Sequence, residues 1–377
     1  MRILHLITRM DGGGSAVNTL ISATAQQQAG HRTCLAFGSS DESEMSETER
    51  EQLAGRMQVF REAGGETVVL SSLVRQPGRA DFAAYRQMRQ LLVRGFDVVH
   101  THTSKAGALG RLAAWGCAGA VVHTPHGHIF HGYFGRLKTR LFIGIERFLA
   151  ARSHALIALT QAERDDHLAL GVGRVEQWRV IPSGVDVTGI QRRVMAWRED
   201  YPDARQWDAI SVGRLAPIKG MERLIRAWAR VCEIKSDARL AVVGDGEERE
   251  KLEKMCGESG IANNVYFAGW SDPVPYFAAS RCFALLSHNE GMGRAVVEAM
   301  AAGLPCVVSG VCGLKELVTS DCGAVMDAEN PKAVAAALLY DWPDDMHTAC
   351  VERADAYSVD VMVQALQDLY DGLLNGA

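Results

Sequence analysis

The chain has 377 residues, 47% hydrophobic and 23% charged, with 40 Lys and Arg against 45 Asp and Glu for a formal net charge of -5. That length exceeds one ordinary core and suits two domains of roughly 150–200 residues each. The slightly acidic balance excludes nucleic acid as the main partner, because phosphate backbones are held by basic faces.

In chain order, the first half alternates short β-branched runs at 2–7, 32–37, 66–70, 98–102, 121–124, 155–159 and 178–181 with helix-like segments at 16–29, 81–93, 105–115, 136–150 and 161–170. Apolar runs without strict alternation suit strands buried on both faces, and strand–helix alternation predicts a parallel sheet with helices on both sides. The segment 39–61 is acidic and polar and reads as a surface excursion or a solvated helix, without chemistry. The pattern restarts with strands at 209–212, 240–243, 265–268, 283–286 and 305–308 and helices at 221–232, 247–259, 294–302 and 331–340. The polar stretch 186–207 marks the boundary, giving domains 1–186 and 187–357, and an amphipathic segment fills 358–377. The predicted architecture is α/β: two doubly wound Rossmann-like domains facing across a cleft.

Nine cysteines, an odd number with no CxxC pair, read as free reduced thiols. The apolar opening 1–7 is too short for a signal peptide, and the longest uncharged apolar stretch, 112–122, is well short of the roughly 20 residues of a membrane span. The expected location is the cytoplasm, or the inner face of a membrane as a peripheral protein. The stretch 133–152 mixes cations with aromatic and apolar residues. It reads as a core helix with a basic solvent face, with peripheral membrane contact through 133–152 as the alternative.

Ligands of open parallel sheets bind at the carboxyl ends of the strands. Gly12, Gly13 and Gly14 stand at one such end, where they permit close backbone approach while the next helix aims its free N–H groups at an anion. They are not a dinucleotide fingerprint: Gly12-x-Gly14-x-x-Val17 lacks the third glycine, and no acid ends the second strand. A plain tight turn is the competing reading. His123, His126, His128 and His131 suggest zinc, but Pro125 and Gly127 break any helix that would align them, so no metal is expected. His126, flanked by the two breakers, is the candidate that points inward.

In the second half, Gly213 ends a strand, and Arg214 and Lys219 follow, spaced to clamp a diphosphate from adjacent sides. Glu290-Gly291-Met292-Gly293 precedes a helix that contains Glu298. That spacing sets one carboxylate at the helix mouth and the other about a turn deeper, which suits a hydroxyl-rich ligand. Gly291 and Gly293 leave the helix N-terminus open to phosphate oxygens. Either glutamate alone could be an ordinary helix residue.

These motifs resemble those of the family-four retaining glycosyltransferases, which have the glycosyltransferase-B fold. The resemblance rests on Glu290-x7-Glu298 followed by Ala-Met-Ala-Ala-Gly-Leu-Pro305, on Gly213-Arg-Leu-x3-Lys219-Gly, on Val180-Ile-Pro-Ser-Gly-Val-Asp186 and on Leu240-x3-Gly244-Asp-Gly246. It implies a nucleoside-diphosphate sugar as co-substrate, no metal or other cofactor, and a glycan or lipid-linked acceptor in surface polysaccharide or glycolipid synthesis. By the same resemblance Arg214 and Lys219 hold the diphosphate, with Gly213, Gly291, Met292 and Gly293 around the donor. Glu298 bonds the ribose, Glu290 the donor sugar, His126 approaches the reacting centre, and Gly12–Gly14 border donor and acceptor. Glu290, His126, Arg214 and Lys219 are thus the catalytic candidates, and the last helix is expected to cross back to the first domain. Met292, Arg294, Ser183 and Lys315 depart from the family pattern. An epimerase or hydrolase of the same fold, or a non-catalytic sugar-nucleotide-binding protein, is the alternative.

Overall fold

The computed structural model describes residues 1–39, 45, 47–117, 119–127, 136–202, 204 and 206–376. The chain divides into two compact units, Met1–Gly184 with Val359–Ala377, and Val185–Ser358.

The first unit holds strands β1 (Arg2–Arg9), β2 (Arg32–Gly38), β3 (Glu66–Leu70), β4 (Val98–His102), β5 (Ala120–Thr124), β6 (Ala155–Ala158) and β7 (Trp178–Val180). All are parallel, in the order β3-β2-β1-β4-β5-β6-β7, so the strand order reverses between β1 and β4. Its helices are α1 (Gly14–Gln28), α2 (Glu47–Glu62), α3 (Ala80–Leu92), α4 (Ser104–Ala114), α5 (Arg136–Ala150) and α6 (Gln161–Ala169). Every residue of β4 and β5 is buried, as expected of strands covered on both faces.

The second unit repeats the plan with β8 (Trp207–Val212), β9 (Leu240–Val243), β10 (Val265–Gly269), β11 (Ser280–Leu285), β12 (Cys306–Ser309) and β13 (Gly323–Met326). They are parallel in the order β10-β9-β8-β11-β12-β13. The helices are α7 (Val187–Asp200), α8 (Met221–Ile234), α9 (Arg249–Glu258), α10 (Val274–Ala278), α11 (Arg294–Ala301), α12 (Leu314–Leu317), α13 (Pro331–Leu339) and α14 (Asp344–Asp355). Apolar residues at 221, 224, 225, 228 and 231 make α8 a one-faced helix, and that face lies in the core with Trp228 fully buried. Truncating Trp228 to Ala would remove about 3–5 kcal/mol.

The final helix, α15 (Val359–Asn375), packs within the first unit. Met362, Leu366 and Tyr370 share one stripe and bury against Ile3, Val98, Val122 and Ile157 on the sheet. All nine cysteines are free thiols.

The structure adds detail to two polar stretches and corrects the reading of a third. The acidic segment 39–61 contains α2, whose Met57 and Phe60 are buried with Ile7, Leu20 and Leu35; its few apolar residues recur on one face among many charges (40–44 and 46 lie outside the described residues). The polar stretch 186–207 holds α7, started by Asp186, whose carboxylate accepts the Gly189 N–H at 3.0 Å. Within 133–152, of which 133–135 lie outside the described residues, α5 does not present a merely basic solvent face. Leu137, Leu141, Ile145 and Phe148, at near-helical spacing, are 87%, 64%, 37% and 46% exposed, while Glu146, Leu149 and Ala150 face inward. Among the described residues no helix is long and apolar enough to cross a membrane.

Candidate active site

In the second unit the strand-end loops are laced together by the backbone. The Gly213 N–H donates to the Val243 carbonyl at 3.0 Å, Leu215 N–H to Asp245 at 2.9 Å, and Gly244 N–H to Gly269 at 2.8 Å. Gly244 has φ 132°, and a Cβ there would lie 2.1 Å from the Gly213 oxygen, so only glycine allows this approach. Pro217–Lys219 then forms a single 3-10 turn, docked on the loop after β11 by the His288 N–H donating to the Ile218 carbonyl at 2.8 Å. Glu222 and His288 meet at 2.7 Å across the same seam, and Arg223 donates to the carbonyls of Leu286 and Ser287 at 3.3 Å.

This seam brings Lys219 and Glu290 together: Nζ lies 2.6 Å from Oε2, which also accepts from the Ser287 hydroxyl at 3.2 Å. The side chains are 26% and 14% exposed, so the pair is partly desolvated and its interaction less screened than at the surface. Three residues on, Gly293 caps α11 with φ 80°, where a Cβ would meet Leu314 Cδ2 at 2.5 Å. Gly293 supplies no side chain to cap this helix, so the positive end of its dipole faces the loop that carries Glu290. A Cβ on Gly291 would meet none of the described residues within 4 Å, and Met292 is buried. Glu298 sits one turn into α11, with the Arg294 guanidinium 4.0 Å away.

Arg214 is placed differently from the expected clamp. Its guanidinium pairs with Glu247 at 3.1 Å, with both side chains more than half exposed, and shares no partner with the Lys219 ammonium. Lys219 instead folds back over the end of β8, its Cε 4.0 Å from where a Gly213 Cβ would stand.

In the first unit Gly12, Gly13 and Gly14 follow β1, and Gly13 caps α1. Asp11 accepts the Gly13 N–H at 2.9 Å and is held by Arg9 at 2.6 Å. A Cβ on Gly12 would meet a Glu49 carboxylate oxygen at 2.8 Å. Beside this loop the Thr8 and Thr103 hydroxyls bond at 2.9 Å, and Thr8 caps the start of α4 by accepting the Ala106 N–H at 3.1 Å.

His126 follows β5 with φ 61°; it and Thr103 are the non-glycine residues of positive φ among those described. Such backbone strain persists only where surroundings impose it, and it clusters at functional sites. Two contacts impose it here. Nε2 of His126 bonds Nδ1 of His102 at 2.9 Å, and Glu163 accepts the next N–H, Gly127, at 2.8 Å while accepting Leu159 N–H at 2.7 Å. Burial lowers the His126 pKa to about 3. Burial also raises Glu163 to about 7 against the two N–H bonds that favour its carboxylate.

Of the four-histidine run, His128 and His131 lie outside the described residues. His123 turns to Thr101, with Nδ1 3.0 Å from the hydroxyl, so it does not converge with His126. The described residues that could hold a metal are His5, His100 and His102, whose ligating nitrogens lie within 4.8 Å of one another. Their rings already bond one another, Gln26, Tyr370, Thr124 and His126, and an ion would have to break those bonds. His5, Gln26 and Glu163 escaped sequence reasoning. Thr160-x-x-Glu163 has the form of a capping box, and Thr160 does accept the Glu163 N–H at 3.1 Å, but the glutamate reaches outward to Gly127.

The family model for a glycosyl transferase 4-like domain matches residues 13–184, and that for glycosyl transferases group 1 matches residues 196–353. The chain aligns with the structure of HepE of Anabaena in complex with UDP and glucose at a TM-score of 0.78 and 20% identity, covering 99% of this chain and 100% of that one. It is 30% identical over 241 residues to the Escherichia coli UDP-Gal:alpha-D-GlcNAc-diphosphoundecaprenol alpha-1,3-galactosyltransferase, which covers 60% of this chain and 61% of that enzyme. It is 29% identical over 303 residues to the phosphatidyl-myo-inositol mannosyltransferase of Mycolicibacterium smegmatis, covering 77% and 75%. The two parallel-sheet units thus have the glycosyltransferase-B fold. The chain belongs to the family-four glycosyltransferases.

Proposed function

We propose that the chain moves a sugar from a uridine-diphosphate sugar to an acceptor hydroxyl, with retained anomeric configuration and no metal. The observation that carries this reading is the Lys219–Glu290 pair, whose glutamate lies on the loop that leads into the N-terminus of α11. A departing nucleoside diphosphate gains negative charge as the glycosidic bond breaks. An ammonium and the positive end of a helix dipole already in place therefore stabilise the transition state more than the ground state. Arg214 joins them by leaving its exposed pair with Glu247, a bond worth only about 0–1 kcal/mol. Glu290 and Glu298 accept hydrogen bonds from hydroxyls of the sugar and ribose, and His126, at a strand end of the first unit, accepts one from a substrate hydroxyl.

UDP is favoured because HepE binds it and the E. coli relative is named for UDP-Gal. Retention rests on the family, and Asp11, tied to Arg9 and Gly13, is poorly placed to act as a covalent nucleophile. For the acceptor, the E. coli relative's lipid-diphosphate substrate suggests a lipid-linked glycan. The exposed apolar stripe of α5, flanked by Lys138, Arg140 and Arg147, suits an anionic membrane carrying one. Trp115 extends the stripe, edge-on to Phe148 at 6.3 Å, with Arg152 over both rings.

The test supplies UDP-sugars with undecaprenyl-diphosphate sugars in the presence of EDTA. Acceptor-dependent sugar transfer supports the proposal. Donor consumption without an acceptor would replace it with the hydrolase or epimerase reading.

A further inference from the structure

Behind His126 lies a line of buried side chains. His126 Nε2 bonds His102 Nδ1 at 2.9 Å, His102 Nε2 bonds His5 Nδ1 at 2.9 Å, and His5 Nε2 bonds the Gln26 side-chain oxygen at 2.7 Å. The line runs from the loop after β5, through β4 and β1, to α1. His5, His102 and Gln26 are each no more than 1% exposed. His100, opposite His5 in register, lies tilted against His102 with ring centroids 4.1 Å apart and bonds Tyr370 of α15 at 2.7 Å. No carboxylate bonds to the line among the described residues, and burial depresses the pKa of every ring in it, so all are neutral at pH 7.

A neutral imidazole has one N–H and one lone pair. A chain of such rings is therefore directional, and the group at its far end sets every tautomer. With its amide oxygen toward His5, and its NH2 buried and without a hydrogen-bond partner among the described residues, Gln26 can only accept, so His5 carries its proton on Nε2. His5 Nδ1 then accepts from His102 Nε2, and His102 Nδ1 accepts from His126 Nε2. His126 is left with a bare lone pair on Nδ1, for which the described residues provide no partner.

We propose that Gln26, His5 and His102 are positioning residues for transfer: they lock His126 as the Nε2–H tautomer and so present Nδ1 as an acceptor to a substrate hydroxyl at the strand ends of the first unit. The inference rests on the reading above that His126 meets a substrate hydroxyl. The strained φ of His126 fits a ring held from behind, since the His102 bond and the Glu163 clamp on Gly127 fix it from two sides.

Histidine-selective 15N labelling of the full chain reads the tautomer without needing any activity. The wild type should show His126 Nδ1 unprotonated. Gln26→Met, nearly the same size but lacking the acceptor, should give mixed tautomers at His126 and lower kcat by about ten- to a hundred-fold with little change in KM for the donor. His123→Gln, which removes a buried ring outside the line, should leave the His126 signal alone. A proton on Nδ1 in the wild type, or a tautomer indifferent to Gln26→Met, overturns the lock. A tautomer that responds while kcat stays at the wild-type level overturns its role in transfer. Absence of any transfer by the wild type would instead count against the proposed function, and the NMR result would still decide the lock.

Discussion

The Lys219 ammonium and the Glu290 carboxylate lie 2.6 Å apart, each carried by a different strand-end loop of the second unit. If this cation stabilises the leaving diphosphate, Lys219→Ala should cut kcat by roughly 100- to 1,000-fold, the cost of one lost preorganised donor. The fold should survive, because Lys219 lies outside the buried core. Steady-state kinetics beside a thermal melt check both halves, and near-wild-type turnover in a folded Lys219→Ala protein would remove Lys219 from the site.

Gly244→Ala should damage the same site through the backbone. At φ 132°, with the added carbon 2.1 Å from the Gly213 oxygen, the two loops must separate. A stability loss of at least about 1–3 kcal/mol is expected, together with weaker donor binding. Calorimetry and donor titration of the variant test this, and an unchanged melt would mean that the loops yield freely.

The protein should lose stability in mild acid. Burial holds His5 near 4, His126 near 3, and His100, His102 and His123 well below 6.5. The unfolded chain therefore binds more protons than the folded one below about pH 6.5, and stability falls as pH drops through that value. Each such proton contributes about 1.4 kcal/mol per pH unit. Denaturant melts from pH 7 to pH 5 should show the midpoint decreasing steadily; a flat profile would mean that these rings are already charged in the fold.

Glu163 has the opposite sign. Its pKa rises from 4.5 to about 7, so the folded state binds the extra proton and stability from this group is lost as pH rises across that window. Glu163→Gln should erase this component. It also leaves one of the Gly127 and Leu159 N–H groups facing an amide donor, a loss of about 1–3 kcal/mol. Because Gly127 adjoins His126, kcat should fall as well. Melts of the variant across pH 5–8 with matched kinetics test the clamp, and wild-type stability and rate would dismiss it.

Leu141→Glu and Phe148→Glu should abolish binding to anionic phospholipid vesicles and leave the melt near the wild-type value, since both side chains are exposed. Undiminished vesicle binding by the double variant would move membrane contact away from α5.

Much of this fold was legible in the sequence because its strands are short apolar runs closed by glycines. α8, with apolar residues at 221, 224, 225, 228 and 231, was read for the same reason. β13 was missed: it has four residues, and its register comes from pairing with β12 rather than from a pattern of its own. The Glu290-x7-Glu298 segment was visible because its spacing is local. The line from His126 to Gln26 was invisible, since it joins residues 126, 102, 5 and 26 through strand pairing and helix packing. Arg214 shows the opposite limit: sequence spacing set it beside Lys219, but an exposed side chain goes to its nearest carboxylate, here Glu247.

The most direct test of the central claim is a thermal-shift panel of nucleoside diphosphates and their sugars, run with EDTA on the wild type and on Lys219→Ala. The account predicts a shift selective for uridine, larger with one sugar attached, and largely lost in the variant. No shift with any nucleotide, or an equal shift in Lys219→Ala, would contradict it.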